Sequence, residues 1–210
     1  RRYRAAAGDP FSFLGWVEGP AAEAADLRDA ANFLMDLMEE PEYAGALMDR
    51  CLETAIAFAR AQLACGADTI GIGDAIASQV SPATYAALIQ PREKALVRAI
   101  QAAGGRVRLH ICGDIRRLLP SIADLGVDIL DVDHMVGLAE ARAAMGPGVV
   151  LAGNLDPVSD ILRGAPPTIR AGVRRCRAEA GDPFMVNAGC EIPAGSPLDN
   201  LRALCDPIAG

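Results

Sequence analysis

The sequence predicts an α/β fold of the TIM (β/α)8-barrel type, here short by about two N-terminal βα units. Three observations predict it. Short runs rich in Val, Ile and Leu, ending in Gly, Asp or Asn, alternate along the chain with longer stretches of 3.6-residue period. Strand–helix alternation means parallel pairing with helices outside the sheet. No Gly-x-Gly-x-x-Gly follows an early strand; Gly71-Ile72-Gly73 lacks the third glycine, which weakens an open dinucleotide-binding sheet.

The strand candidates are Phe13–Val17, Asp68–Gly73, Val107–Cys112, Asp128–Asp133, Val149–Gly153 and Phe184–Gly189. The helical patterns are clearest at Tyr43–Ala64, Pro82–Ala103, Arg116–Leu125, Leu138–Met145 and Pro167–Ala180. Ser81 before Pro82 is helix-start chemistry, and Gly104-Gly105, Gly126 and Gly146 stand where helices should stop. Six βα units result, where a closed barrel has eight over roughly 250 residues. Residues 1–210 are read as one domain, the C-terminal six units. The opening Arg1-Arg2-Tyr3-Arg4 has no Met and looks like the interior of a longer polypeptide.

Composition narrows the class. The 210 residues are 51% hydrophobic and carry a net charge of -7. An acidic chain without a local Lys/Arg cluster does not attract a phosphate backbone, so nucleic acid is not expected as a partner. Apolar runs break within about ten residues, too short for a bilayer span, so no membrane is expected either. Six cysteines in no framework spacing suit a cytoplasmic protein with reduced thiols. A thiolate is then available as a ligand.

The segment Val107-Arg108-Leu109-His110-Ile111-Cys112-Gly113 carries the chemistry. Side chains alternate across a strand. Val107, Leu109 and Ile111 form an apolar face for the outer helices. Arg108, His110 and Cys112 face the barrel interior, the last two at the carboxyl end, where barrel enzymes keep their active sites. Phe184–Gly189 ends the same way, placing Cys190 at the same rim. One imidazole and two thiolates suit zinc, and three protein ligands leave the fourth position open, as in catalytic sites. Zinc with two thiolates and a neutral imidazole is formally neutral, so a substrate thiolate added to it keeps much of its electron density. The same set is poorer at making hydroxide. Each cysteine taken singly is also an ordinary core residue.

At these residues the chain resembles the uroporphyrinogen decarboxylase superfamily, and within it the zinc-dependent methyltransferases related to methylcobamide:coenzyme M methyltransferase. The resemblance runs through Glu18-Gly19-Pro20, Cys65-Gly66-Ala67-Asp68, Gly73-Asp74-Ala75-Ile76-Ala77-Ser78, Leu109-His110-Ile111-Cys112-Gly113, Gly153-Asn154-Leu155-Asp156-Pro157 and Asn187-Ala188-Gly189-Cys190-Glu191-Ile192-Pro193. It implies His110, Cys112 and Cys190 as zinc ligands. It implies one-carbon metabolism: a methyl group passes from a methylated corrinoid (cobalamin) protein to a zinc-activated acceptor, either a thiol such as coenzyme M or tetrahydrofolate. The corrinoid would sit on a partner protein, since no Asp-x-His-x-x-Gly signature occurs. The alternatives are a metal-free decarboxylase-like lyase and a non-catalytic docking subunit. The reading leaves room for a homodimer.

Other residues are candidates on weaker grounds. Asp74 ends the second strand, as a catalytic or metal-shell residue or as a cap. His134 is a rim residue expected near ligand and is named with Asp74 as catalytic. Glu18 and Asn154 are named as substrate-binding, with Asn154 and Asp156 equally readable as a turn before Pro157. Asp131 and Asp133 share an inward face, either behind the zinc histidine or, as favoured, paired with Arg108. Cys51, Cys65, Cys176 and Cys205 are read as packing residues, and Met35, Met38 and Met48 as helix core or cover.

Overall fold

The computed structural model describes residues 2–8 and 11–206, so Arg1 of the opening Arg1-Arg2-Tyr3-Arg4 lies outside the described residues. The elements run α1 (Arg2–Ala7), β1 (Leu14–Glu18), α2 (Pro20–Arg28), α3 (Ala30–Glu39), α4 (Pro41–Ala64) and β2 (Thr69–Gly73). There follow α5 (Pro82–Thr84), α6 (Gln90–Ala102), β3 (Arg106–His110), α7 (Leu119–Ala123) and β4 (Ile129–Asp131). The last are α8 (Leu138–Met145), β5 (Val150–Leu155), α9 (Pro166–Ala180), β6 (Phe184–Ala188) and α10 (Leu198–Leu204). Strand–helix repetition with parallel pairing is the (β/α)-barrel class that the pattern predicted.

The chain groups into two compact units. The first holds residues up to Ile111 together with Ser121–Asp128. In it β1, β2 and β3 pair in parallel, with Glu18 opposite Gly73 and Gly73 opposite His110. The ladder runs on past the strands, since Gly19 N–H donates to Gly73 O (2.7 Å) and Asp74 N–H to His110 O (3.0 Å). Ile70, Ile72, Val107 and Leu109 are fully buried, as are Phe33, Ala44, Met48 and Ala59 on the helices of this unit.

The second unit holds Cys112–Pro120 and the described residues from Ile129 onward. There β4, β5 and β6 pair in parallel, with Leu130 opposite Leu151 and Ala152 opposite Met185. Arg142 on α8 donates to four carbonyls: Ala180 (2.6 Å), Gly146 (2.8 Å), Val149 (2.6 Å) and Pro183 (2.8 Å). One guanidinium thus ties the ends of α8 and α9 to the approaches of β5 and β6.

Some expectations are corrected. The Pro82–Ala103 helix is interrupted by a π-helical turn, Tyr85–Ile89, in which Gln90 N–H reaches back to Tyr85 O. Pro91 has no N–H to donate, so the regular i→i−4 ladder cannot continue through it. The helix expected from Arg116 starts only at Leu119. Arg116 N–H is taken by Asp114 Oδ1 (3.1 Å) in a turn, and Pro120 suits a first helical turn. The third strand ends at His110 rather than Cys112. Helices α2 and α10 were not among the helical patterns read from the sequence, and α3 is the helix that carries Met35 and Met38. Cys51 and Cys176 are buried as read, but Cys65 and Cys205 are exposed, because each ends a helix. Met48 is core, whereas Met35 and Met38 are exposed.

Candidate metal centre

The His-x-Cys segment leaves β3 at its carboxyl end. Val107, Leu109 and Ile111 are fully buried, so the alternation turns His110 to the opposite face, where it is 8% exposed. Cys112 follows two residues later, half-buried. Its Sγ lies 3.4 Å from Sγ of Cys190, which stands two residues beyond β6. His110, Cys112 and Cys190 each offer one ligand atom, and these atoms all lie within 4.8 Å of one another. Ligand atoms around a tetrahedral zinc stand roughly 3.5–3.8 Å apart, so closure needs shifts of about an ångström.

The donor set fits such an ion chemically. Burial, then the hydrogen bond and charge of Cys190, then Asp133, push the Cys112 thiol up to about 12. The Cys112 thiol therefore resists becoming a thiolate. A divalent cation reverses that preference, because thiolates are its ligands.

Asp133, 3% exposed, follows β4 and holds the Cys112 loop. Its Oδ2 accepts from Gly113 N–H (2.8 Å), and its Oδ1 accepts from Met135 N–H (2.9 Å) and lies 3.0 Å from His134 Nδ1. His134 Nε2 is 3.8 Å from Asp156 Oδ2, with the imidazole about one-third exposed. Asp131 accepts from Asn187 Nδ2 (2.8 Å). Asp133 therefore spends its carboxylate on two amides and an imidazole.

The remaining candidates have the following partners. Asn154 donates through Nδ2 to the carbonyls of Asp133 (3.1 Å) and Val136 (2.7 Å) and so anchors the loop after β4. Asp156 accepts from Val158 N–H (2.8 Å) and Ser159 N–H (3.0 Å), which is the turn reading. Glu18 is exposed at the end of β1 and accepts from Trp16 Nε1–H (3.0 Å). Asp74 is fully buried, and its two oxygens accept from Ala21 N–H (3.3 Å) and Ala22 N–H (2.7 Å). These are orphan amides of the first turn of α2, so the geometry is that of a helix cap supplied by another strand.

Behind Asp74 lies a pair that the sequence did not signal. Glu93 on α6 is fully buried and accepts from the Tyr85 hydroxyl, while its Oε1 has no partner among the described residues. Burial drives Asp74 up to about 7, against the lowering effect of the two α2 amides. Burial and then the charge of Asp74 hold Glu93 well above the usual carboxylate range. Both shifts are upward, so the folded state keeps a proton that the unfolded chain releases. That stability is complete below about pH 4 and is lost as pH rises toward about 7. Acids held low by their partners, such as Asp114 at about 2, act oppositely and matter only at lower pH. Urea unfolding midpoints should therefore fall across about pH 5–7, and Glu93→Gln should flatten that slope. An unchanged slope in the variant would refute the account of a carboxyl kept protonated by burial.

Comparison with known proteins adds the family. The uroporphyrinogen decarboxylase (URO-D) profile matches residues 1–209. The methylcobamide:CoM methyltransferase MtaA of Methanosarcina barkeri is 30% identical over 200 residues, 94% of this chain and 58% of the relative. A uroporphyrinogen decarboxylase of Nocardia farcinica is 34% identical over 187 residues, 89% of this chain and 51% of the relative. A solved methyltransferase from Methanosarcina mazei superposes with a TM-score of 0.88 at 26% identity, covering 96% of this chain and 59% of that one. The chain thus spans between half and three-fifths of the length of these relatives. By a family match over essentially its whole length, the chain belongs to the uroporphyrinogen decarboxylase (URO-D) family.

Proposed function

We propose that the protein is a zinc-dependent methyltransferase that moves a methyl group from a methylated corrinoid protein to a thiol acceptor such as coenzyme M, or to tetrahydrofolate. The observation that carries this reading is the meeting of His110, Cys112 and Cys190 within 4.8 Å. Decarboxylation of a tetrapyrrole acid gives no reason to gather an imidazole and two thiols. The relatives named for methylcobamide and coenzyme M support the same direction.

In this reading His110, Cys112 and Cys190 hold the ion. Bound there, zinc supplies Lewis acidity that keeps an acceptor thiol as thiolate at neutral pH. Two cysteine thiolates and a neutral imidazole cancel the ionic charge, so the acceptor sulfur retains its nucleophilicity. In this reading His134, which lies between Asp133 and Asp156, is the residue that would exchange a proton with an arriving acceptor. Glu18, exposed at the end of β1, is offered as a substrate contact. The corrinoid belongs to the partner protein. We read residues 1–210 as six consecutive βα units of one barrel domain of a cytoplasmic enzyme. No helix among the described residues is long and apolar enough to cross a membrane.

A metal-free decarboxylase is the second reading, favoured by the 34% identity to the Nocardia farcinica enzyme. Assay separates the two. Protein purified without chelator, given methylcobalamin and a simple thiol, should form the thioether, and dialysis against a chelator should abolish this until zinc returns. Consumption of uroporphyrinogen that a chelator leaves unchanged, with no thioether formed, would replace the first reading by the second.

A further inference from the structure

The two cysteines come from segments 78 residues apart, yet their sulfurs stand 3.4 Å from each other. We propose that Asp133 and His134 form one positioning element that sets this spacing, each of the two residues seating one cysteine loop. Asp133 acts on the first loop. Its buried carboxylate holds the Gly113 amide at 2.8 Å, and Gly113 is the residue after Cys112. His134 acts on the second through its main chain. A Cβ placed on Gly189, the residue before Cys190, would meet His134 Cβ at 2.8 Å and Cα at 2.9 Å, and would also meet its backbone nitrogen. Gly189 is thus pressed against the His134 backbone. Its own N–H donates to Leu155 O (2.7 Å), which fixes the distance from β5.

The dipeptide is itself held from behind. Asn154 donates to the carbonyls of Asp133 and Val136, and Asp133 Oδ1 closes the turn onto Met135 N–H. The chain of contacts therefore runs from Asn154 to Asp133 and His134, and from these to Gly113 and Gly189. Cys112 and Cys190 are carried at its ends. Loosening either loop would leave the 3.4 Å spacing of the two sulfurs without its support. The spacing argument stands on geometry alone, and its meaning for catalysis rests on the zinc reading above.

The test uses phenylarsine oxide, whose trivalent arsenic takes up two thiols. Two As–S bonds form, the As–O bond breaks, and the two thiol protons leave with the oxygen as water. In a background with the exposed cysteines removed (Cys65→Ser, Cys205→Ser), the Cys112–Cys190 bridge is read by mass spectrometry of the linked peptides. Affinity is read by competition with a small dithiol. Gly189→Ala and Asp133→Ala should each weaken bridging at least tenfold while the thermal midpoint moves by only a few degrees. Asp133→Asn keeps one acceptor and should lose less. Gly148→Ala, at a glycine with nothing near its Cβ, should change nothing. Bridging within twofold of the parent in either Gly189→Ala or Asp133→Ala, one acting on each loop, would overturn the proposal. Cobalt(II) uptake, followed by its thiolate absorption, separates this outcome from failure of the zinc reading. A parent that binds arsenic but no cobalt or zinc, with bridging lost in the variants, keeps the positioning element and discards the metal.

Discussion

Cys190→Ser is expected to reduce bound zinc from about one per chain to a small fraction, with affinity falling by more than about 100-fold. Removing a partner behind a ligand already costs roughly 10–100-fold, and loss of a ligand atom should exceed that. A serine hydroxyl does not ionise near neutral pH, so the ion would keep one thiolate, one imidazole and an excess positive charge. The partner thiol responds as well. Cys112 is held up to about 12 first by burial and then by Cys190, so in the proposed site its ionisation would depend on a metal ion held by both sulfurs. Metal analysis after gel filtration, with Cys205→Ser at an exposed helix end as control, checks this. Full zinc content in Cys190→Ser would remove the basis for the proposed chemistry.

Arg142→Ala is expected to destabilise the protein by roughly 2–4 kcal/mol, read as a lower urea midpoint at unchanged slope. Four carbonyls, of Gly146, Val149, Ala180 and Pro183, lose their donor together. Hydrogen bonds to charged groups contribute about 1.5–3 kcal/mol each, but carbonyls near the surface recover part of this from water. Arg142→Lys should restore only a fraction, because an ammonium cannot fork across four acceptors. A loss below about 1 kcal/mol would mean that water replaces the guanidinium well.

The sequence made some of this legible for identifiable reasons. The six strands were readable because each lies in a short, largely apolar run with Gly, Asp or Asn at or near its end. Period two along Val107–Cys112 was enough to put His110 and Cys112 on the face opposite Val107, Leu109 and Ile111. Longer-range matters were hidden. Asp74 looked available at a strand end, but its partners are amides of α2 some fifty residues away. Glu93 sits in a charged stretch, Pro91-Arg92-Glu93-Lys94, and nothing local marks it as the one carboxyl turned inward. The roles of Asp133 and Gly189 depend on two loops meeting, which no local period records. The π-helical turn was foreshadowed only by Pro91.

The indole of Trp16 lies across Gly71 and Gly73, the two glycines of β2 on its face. A Cβ at Gly73 would meet the ring at 2.7 Å, and one at Gly71 would collide with it outright. Trp16 is also the single tryptophan of the chain, and its ring N–H is bonded to Glu18. The molecule therefore carries a built-in optical reporter at the mouth of its first strand. Its emission colour registers the polarity around that carboxylate without any attached label.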